Sequence, residues 1–385
     1  MTNQKFRNLI DFNRPYIASN QLEYIQEAIK SGHISGDGQF TKKCHAWLEN
    51  YLGVKKALLT TNCTHALEMS ALLLDLKPGD EVIAPSFTFV STVNAFLLRG
   101  AKPVFADIRP DTLNIDENQI EALVNERTRA IYVVHYAGVG CEMDKIREIA
   151  ESHNLQVIED NAHGLFGKYR GKLLGTFGSM ACQSFHETKN ISCGEGGALL
   201  INDANLIERA EIIREKGTDR SRFFRGQVDK YSWVDLGSSY LPSEIIAAVL
   251  YSQLEEAEKI QERRRSIWET YYQGLSEWAV KNENLLPTVP EYCDQSFHLF
   301  YLLLPNLDER QRFIQFLREN NIYSVFHYVP LHTSTMGRSL GYQEGDLPVT
   351  EDISERLVRL PFYFDLSETD QHQVISVIKK FKTMR

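Results

Sequence analysis

The chain has 385 residues, 43% apolar and 24% charged, proportions that exclude disordered, collagen-like and fibrous proteins and leave room for two or three domains of roughly 100–200 residues. Lys and Arg total 42 against 51 acidic residues, a formal charge of −9, so a general attraction to nucleic acid or anionic lipid is excluded and an anionic ligand must be met by a local basic patch. Six cysteines (Cys44, Cys63, Cys141, Cys182, Cys193, Cys293) without a CxxC pair argue against a disulfide scaffold and for a reducing compartment. The stretch Met1–Asn20 has no apolar leader core and no run approaches the roughly 20 apolar residues of a span, so the expectation is a soluble, cytoplasmic protein.

From about Lys56 to Lys216, short β-branched or apolar runs alternate with amphipathic stretches. The pattern predicts strands at Ala57–Thr60, Glu81–Ala84, Pro103–Asp107, Ala130–His135, Gln156–Asp160, Met180–Phe185 and Ala198–Asn202. Helices are predicted at Thr64–Leu74, Ser91–Leu98, Asn118–Val124, Asp144–His153 and Asn205–Lys216. This is the signature of an α/β domain with a largely parallel sheet and helices on both faces, whose ligands collect at the carboxyl ends of the strands. Helical spacing then runs from Leu241 to Arg265 as one long element. Beyond the loop near Pro287–Pro290 a second αβ arrangement follows, with strands His298–Leu304 and Ser324–His327 and helices Asp308–Asn320 and Asp370–Lys382. The expected division is a large domain over residues 1–255 and a smaller C-terminal α/β domain over 256–385, packed together because no Pro/Gly-rich linker separates them.

The chemistry-bearing segments fall at predicted strand ends. SFHETKN (Ser184–Asn190) puts Lys189 just beyond a strand, where an amine reaches into a cleft instead of lying on a solvated helix face. The following Gly194-Glu195-Gly196-Gly197 cluster reads as a hairpin turn, since glycine supplies positive φ and no helix follows it. VIEDNAHG (Val157–Gly164) ends an apolar strand on Glu159 and Asp160; a buried carboxylate there is costly unless donors or a cation meet it. It reads as a cap or structural ion pair or, at Asp160, as the partner of a cationic heterocycle. TTNCTHALEMSALLL (Thr60–Leu74) offers hydroxyls and free N–H groups at a strand-to-helix turn, a site for phosphate as well as an ordinary cap. In APSFTFVST (Ala84–Thr92), Phe87 and Phe89 follow a strand end, as core or as a stacking face. An amine, a carboxylate, a phosphate cradle and an aromatic face are the set that pyridoxal phosphate needs. A metal is a poorer fit: His163 and His186 are far apart, and His327 and His332 lack a clear third ligand.

These segments, together with HYVPLH at His327–His332, resemble the DegT/StrS family of pyridoxal-phosphate-dependent nucleotide-sugar aminotransferases over roughly Ile17–Phe381. The resemblance implies the aspartate aminotransferase (type I) fold and pyridoxal 5'-phosphate as cofactor. It implies that Lys189 bonds the cofactor's aldehyde, Asp160 meets its pyridine nitrogen, Phe89 covers the ring face, and Cys63, Thr64 and Ser184 hold the phosphate. His163 would lie near the cofactor's O3′ side, and Tyr328 and His332 would line the sugar pocket. Many members carry a GxNxR motif that reaches the other subunit's cofactor phosphate; this chain reads Gly237-Ser238-Ser239-Tyr240-Leu241, with Ser239 in place of the Asn. A homodimer, L-glutamate as amino donor and TDP-4-dehydro-6-deoxyglucose as acceptor are implied in the same way. Amination giving the C4 epimer, amination at sugar C3 and a non-catalytic sugar-binding homologue stay open.

The segment Arg214–Lys230 concentrates Arg214, Lys216, Arg220, Arg222, Arg225 and Lys230 against Glu215, Asp219 and Asp229, with Phe223, Phe224, Tyr231 and Trp233 interleaved or adjacent. It reads as a solvated or inter-subunit loop, or as a clamp that sets guanidinium forks on a nucleotide diphosphate. The clamp is the expectation taken forward for Arg214, Arg220, Arg222 and Arg225, because the rest of the chain is acidic.

Overall fold

The computed structural model describes residues 9–383, so the first eight residues of the N-terminal stretch read for a leader lie outside the described residues. Two helices absent from the predicted elements come first, α1 (Gln21–Lys30) and α2 (Gln39–Leu52). The start of α2 is hidden from local reading because its N-cap is Gly38, which has no side-chain acceptor. The buried Glu244 supplies one from far along the chain, accepting the N–H groups of Gly38 (3.0 Å), Phe40 (2.7 Å) and Thr41 (3.1 Å).

The large sheet holds β1 (Lys56–Thr60), β2 (Glu81–Pro85), β3 (Lys102–Ala106), β4 (Thr128–Val134), β5 (Gln156–Asp160), β8 (Met180–Ser184) and β9 (Gly197–Ile201). The short strands β6 (Lys168–Tyr169) and β7 (Lys172–Leu173) form a hairpin between β5 and β8. The order across the large sheet is β1-β9-β8-β5-β4-β2-β3. Only β9 runs against the others, because it pairs antiparallel with both β1 and β8 while the remaining pairs are parallel. The helices α3 (Cys63–Leu73), α4 (Val90–Leu97), α5 (Glu117–Leu123), α6 (Met143–Ser152) and α7 (Ile207–Arg214) match the predicted ones within a few residues. Residues of β5, β8 and β9 are buried on both faces, as expected where helices cover both sides of a sheet.

The long helical run is two helices, α9 (Glu244–Glu255) and α10 (Ala257–Lys281), after the short α8 (Arg220–Phe224). Neither Gly nor Pro marks the break. Glu256 is held there by the N-terminal segment: its carboxylate accepts from Tyr16 (2.7 Å) and from the N–H and hydroxyl of Ser19 (2.9 and 3.0 Å). We propose this break as the boundary between the larger and smaller units.

The smaller unit contains β10 (Cys293–Asp294), which joins the β6–β7 hairpin, and a three-stranded sheet of β11 (Tyr301–Leu303), β12 (Val325–Phe326) and β13 (Leu357–Arg359), ordered β11-β13-β12. Helices α11 (Leu307–Glu319), α12 (Thr335–Ser339), α13 (Pro348–Arg356) and α14 (Glu368–Ile378) complete it. Its core, including Tyr271, Phe300, Phe313, Leu360 and Ile378, also takes in Ile10 from the start of the chain. Ile10 bonds the backbone of Asn321 and Tyr323, and Phe12 accepts from Phe362, so the first described residues cross to the C-terminal unit although the division at 255/256 groups them with the large one. Among the described residues no helix is long and apolar enough to cross a membrane.

Candidate active site

Because all strands but β9 run the same way, the carboxyl ends of β1, β2, β4, β5 and β8 share one edge with the start of β9. There they enclose a cavity of about 650 Å³ lined by residues that include Cys63, Phe89, Asp160, Ser184, Lys189 and Gly196. Successive strand residues point to opposite faces, so Glu159 and Asp160 take different roles. Glu159 is fully buried away from the cavity and accepts from Gly175, Phe177 and Gly178 N–H groups (each 2.7 Å) and from His135 Nε2 (2.9 Å). It is the structural acid. Asp160 faces the cavity, where the Thr92 hydroxyl (2.7 Å) and the Ala162 N–H (3.1 Å) donate to it. Burial pushes its carboxyl up, against the pull of those donors and of Lys189.

Lys189 sits in the loop between β8 and β9, closed by backbone bonds from Phe185 to Gly196 and from Glu187 to Gly194, both 2.8 Å. Gly194, at φ +85°, makes the reversal, so the glycine cluster is the hairpin turn its composition predicts. Burial pulls the Lys189 amine down to about 8, opposed by Asp160 and Cys63. Asn190, next in the chain, accepts from His298 Nδ1 (2.9 Å) and donates to the Ser296 carbonyl (2.7 Å), which ties this loop to the C-terminal unit.

The turn from β1 into α3 forms the cradle. Asn62 caps the helix by accepting the His65 N–H at 2.8 Å, leaving the first-turn N–H groups at Cys63 and Thr64 for an anion. Thr64 and Ser91 bring their hydroxyls within 2.7 Å of each other, and Ser184 lines the same wall. Gly197 packs against this turn so closely that a Cβ would come within 2.4 Å of the Asn62 carbonyl carbon; any other residue there would displace the cradle. Phe87 is core, 1% exposed, whereas Phe89 is 59% exposed and lines the cavity, which separates the two readings of the aromatic pair.

The opposite wall comes from the C-terminal unit, and most of it was absent from the predicted site: His298, His327 and Arg359 join the expected Tyr328. His163 stacks on His298 with centroids 4.1 Å apart, and His327 lies 6.2 Å from His163. Burial is the main cause that holds all three imidazoles well below their ordinary values, so they line the cavity as neutral rings. Of the signals in the sequence only the HYVPLH segment pointed here; a lone His298 and a lone Arg359 carry none.

Several expected residues lie elsewhere. Arg214 is 3% exposed and does not reach the cavity; Asp37 (2.8 Å) and the Leu59 carbonyl (2.7 Å) hold its guanidinium. Arg222 pairs with Glu208 (3.3 Å) and Arg225 with Glu211 (2.7 Å), while Arg220 lies over the Phe224 ring. None of the four lines the cavity. Within this chain the four therefore form no clamp on the cavity: Asp37, Glu208 and Glu211 pair with Arg214, Arg222 and Arg225, cations that looked free along the sequence. His332 is also corrected from sugar pocket to structural link, being fully buried between Ser86 (2.8 Å to Nδ1) and Glu351 (2.7 Å to Nε2). Ser239 is exposed, bridged to Glu215, and outside this chain's cavity.

The residues present fit pyridoxal phosphate. A half-buried amine and a buried carboxylate face one cavity, a helix N-terminus and the hydroxyls of Thr64, Ser91 and Ser184 offer donors, and His163 Nδ1 is sealed from solvent without a partner. Such a set can hold a phosphorylated heterocycle, keep its nitrogen protonated and shuttle a proton beside it.

A family model described as the DegT/DnrJ/EryC1/StrS aminotransferase family matches residues 15–379. The chain is 36% identical over 376 residues to the protein MJ1066 of Methanocaldococcus jannaschii, covering 95% of this chain and 96% of that one. It is 31% identical to the spore coat polysaccharide biosynthesis protein SpsC of Bacillus subtilis, covering 98% of each. Among solved structures, the PLP form of Spr1654 from Streptococcus pneumoniae superposes with a TM-score of 0.88 at 26% identity, over 97% of this chain and 98% of that one.

Proposed function

The chain belongs to the DegT/DnrJ/EryC1/StrS aminotransferase family, and on that premise we propose that it transfers an amino group from L-glutamate to C4 of TDP-4-dehydro-6-deoxy-D-glucose. The product of this reaction is TDP-4-amino-4,6-dideoxy-D-galactose, a precursor for bacterial surface polysaccharide such as enterobacterial common antigen, made in the cytoplasm by a homodimer. The family membership makes it a pyridoxal-phosphate-dependent sugar aminotransferase with the type I fold. The observation that carries the catalytic reading is the placement of Lys189 and Asp160 in one cavity at the strand ends. Support for the particular sugar comes from long phrases, SGDGQFT, LLLDLKPGDEVIAPSFTFVST, HYAGVGCEMD and REKGTDRSRFFRGQVDKYSW, which are similar to the transaminase that makes this product. The name of SpsC, a polysaccharide biosynthesis protein, agrees with the pathway class.

When bound, the cofactor supplies an aldehyde that takes up the donor nitrogen and a ring that absorbs the electrons left when a proton leaves the donor's Cα. Asp160 keeps the ring nitrogen protonated; an opposite charge at contact raises such a pKa by about 1–3 units. Cys63 and Thr64 at the start of α3, with the hydroxyls of Thr64 and Ser184, would hold the phosphate, and Phe89 and His163, which line the same cavity, would hold the ring. Lys189 Nζ removes the Cα proton of the donor and, in the second half of the cycle, delivers a proton to sugar C4. With its amine near 8, Lys189 is a usable base close to neutral pH. Tyr328 borders the space left for the sugar. The face of C4 that Lys189 addresses sets the galacto or gluco configuration.

Incubation with TDP-4-dehydro-6-deoxy-D-glucose and L-glutamate, followed by NMR of the amino sugar, tests the proposal. An axial amino group at C4 is expected. An equatorial amine or amination at C3 overturns the product, and absence of any amino transfer overturns the reading as a whole.

A further inference from the structure

His298 belongs to the wall that the smaller unit contributes to the cavity, and one residue links it to Lys189. Asn190, next in the chain to Lys189, is buried and donates its amide nitrogen to the Ser296 carbonyl at 2.7 Å and to Gln261 Oε1 at 3.3 Å. A backbone carbonyl only accepts, so the nitrogen of that amide must face Ser296 and its oxygen must face His298. Asn190 Oδ1 lies 2.9 Å from His298 Nδ1, and an oxygen that carries no proton requires the imidazole proton on Nδ1. The Gln261 amide nitrogen also donates to the Ser296 carbonyl, at 2.7 Å, which braces the same arrangement from α10. Burial keeps the ring neutral, so Nε2 carries a lone pair. Among the described residues the ring bonds through Nδ1 alone while it lines the cavity. Nε2 therefore offers the cavity an acceptor of fixed direction that has no partner in the described chain.

We propose that His298 Nε2 accepts a hydrogen bond from the C3 hydroxyl of the acceptor sugar and so determines which sugars are aminated. The inference rests on the amino-transfer reading and names the group of that substrate which meets this residue. An atom that only accepts cannot pair with the anions of the reaction, because carboxylates and phosphates only accept as well. Lys189 delivers its proton to C4 and the amine of L-glutamate is taken up by the cofactor's aldehyde, which leaves the sugar hydroxyls as donors. Position chooses between them. The His298 ring stacks on His163 with centroids 4.1 Å apart and planes 22° apart, and His163, Lys189 and Asn190 border one small void that shares part of the cavity wall. Contacts within the chain thus hold His298 beside the amine that serves C4. The reacting C4 is flanked by C3, which bears a hydroxyl, and by C5, which bears a methyl group; the C2 hydroxyl is one carbon further away.

The test uses holoenzyme and separates the two half-reactions. Protein loaded with pyridoxamine phosphate is mixed with TDP-4-dehydro-6-deoxy-D-glucose or with its 3-deoxy or 2-deoxy analogue, and the return of cofactor absorbance is followed. Wild type should use the 3-deoxy analogue about tenfold or more less well than the parent sugar, because a buried acceptor is left unpaired, and the 2-deoxy analogue within about threefold. In His298→Phe the parent sugar should fall to the level of the 3-deoxy analogue, closing the ratio between them to within about twofold. The L-glutamate half-reaction of this variant, followed without sugar, should stay within about threefold of wild type. Neutron diffraction needs no variant: a deuteron is expected on His298 Nδ1 and none on Nε2. Equal use of the parent and 3-deoxy sugars by wild type, a ratio that persists in His298→Phe, discrimination against the 2-deoxy analogue instead, or a deuteron on Nε2 overturns the assignment. Equal weakening of both half-reactions in His298→Phe also overturns it, because that is the mark of a structural role. If wild-type protein does not aminate the parent sugar at all, it is the proposed function that fails, and the deuteron positions still decide the direction of the acceptor.

Discussion

Replacing Glu159 with glutamine tests how the strand that presents Asp160 is pinned. Each carboxylate oxygen of Glu159 accepts two hydrogen bonds: Oε1 from the Phe177 and Gly178 N–H groups, both 2.7 Å, and Oε2 from Gly175 N–H at 2.7 Å and His135 Nε2 at 2.9 Å. His135 Nδ1 accepts the Cys141 N–H at 3.2 Å, which places the ring proton on Nε2. In Glu159→Gln the amide nitrogen must face one of these donor pairs. Two buried N–H groups then lose their acceptor at about 1–3 kcal/mol each, a total of roughly 2–6 kcal/mol. At about 2–4 °C per kcal/mol for a unit of this size, Tm falls by about 4–24 °C. Urea unfolding at pH 7 and a thermal scan measure the loss.

The same residue gives the pH dependence its sign. Burial alone would raise the Glu159 carboxyl, but the bonds from His135, Gly178 and Gly175 outweigh it and hold the group below its ordinary value. A carboxyl depressed in the folded state contributes stability that is present above the unfolded pKa, about 4.3, and lost as pH falls through the lower folded value. The gap between wild type and Glu159→Gln should therefore close only in that acid range. A variant within about 1 kcal/mol of wild type at pH 7, which is less than the cost of one orphaned donor, refutes the reasoning. A gap that widens on acidification refutes it too.

Lys189→Ala and Lys189→Arg should abolish turnover while the fold remains, and near-normal amino transfer by either, measured by product chromatography, removes Lys189 from its role. Asp160→Asn should retain some cofactor and lose most of kcat; full activity would assign the ring nitrogen to another group. The amine of Lys189 is pulled to about 8 by burial, so a rate limited by its neutral form should rise with pH along a limb centred near that value, and a limb near the ordinary lysine range would show that burial is not felt. Arg214→Gln should cost stability through the lost Asp37 and Leu59 contacts yet leave the KM for the nucleotide sugar within twofold. A tenfold rise in that KM would restore Arg214 to the substrate.

The sequence by itself determined the seven strands of the large sheet to within a residue or two and the three polar turns that follow β1, β5 and β8. Those features are local: a β-branched run buried on both faces and the turn after it are written in consecutive residues, so Lys189, Asp160 and Thr64 were legible as candidates before any fold was known, and the family resemblance added Ser184. Tertiary structure decided which charges are free. Arg214 looked like a ligand anchor until Asp37 and Leu59 folded onto it, and His332 until Ser86 and Glu351 enclosed it. Arg359 had no motif around it and became conspicuous only because the completed cavity wall leaves its Nε sealed and without a partner. The start of α2 and the break at Glu256 were hidden for the same reason, since each depends on a carboxylate paired with residues distant in the chain. Local pattern specifies which element forms, but whether a charged side chain is neutralised, solvated or left for a ligand depends on groups that only the fold brings within hydrogen-bonding distance.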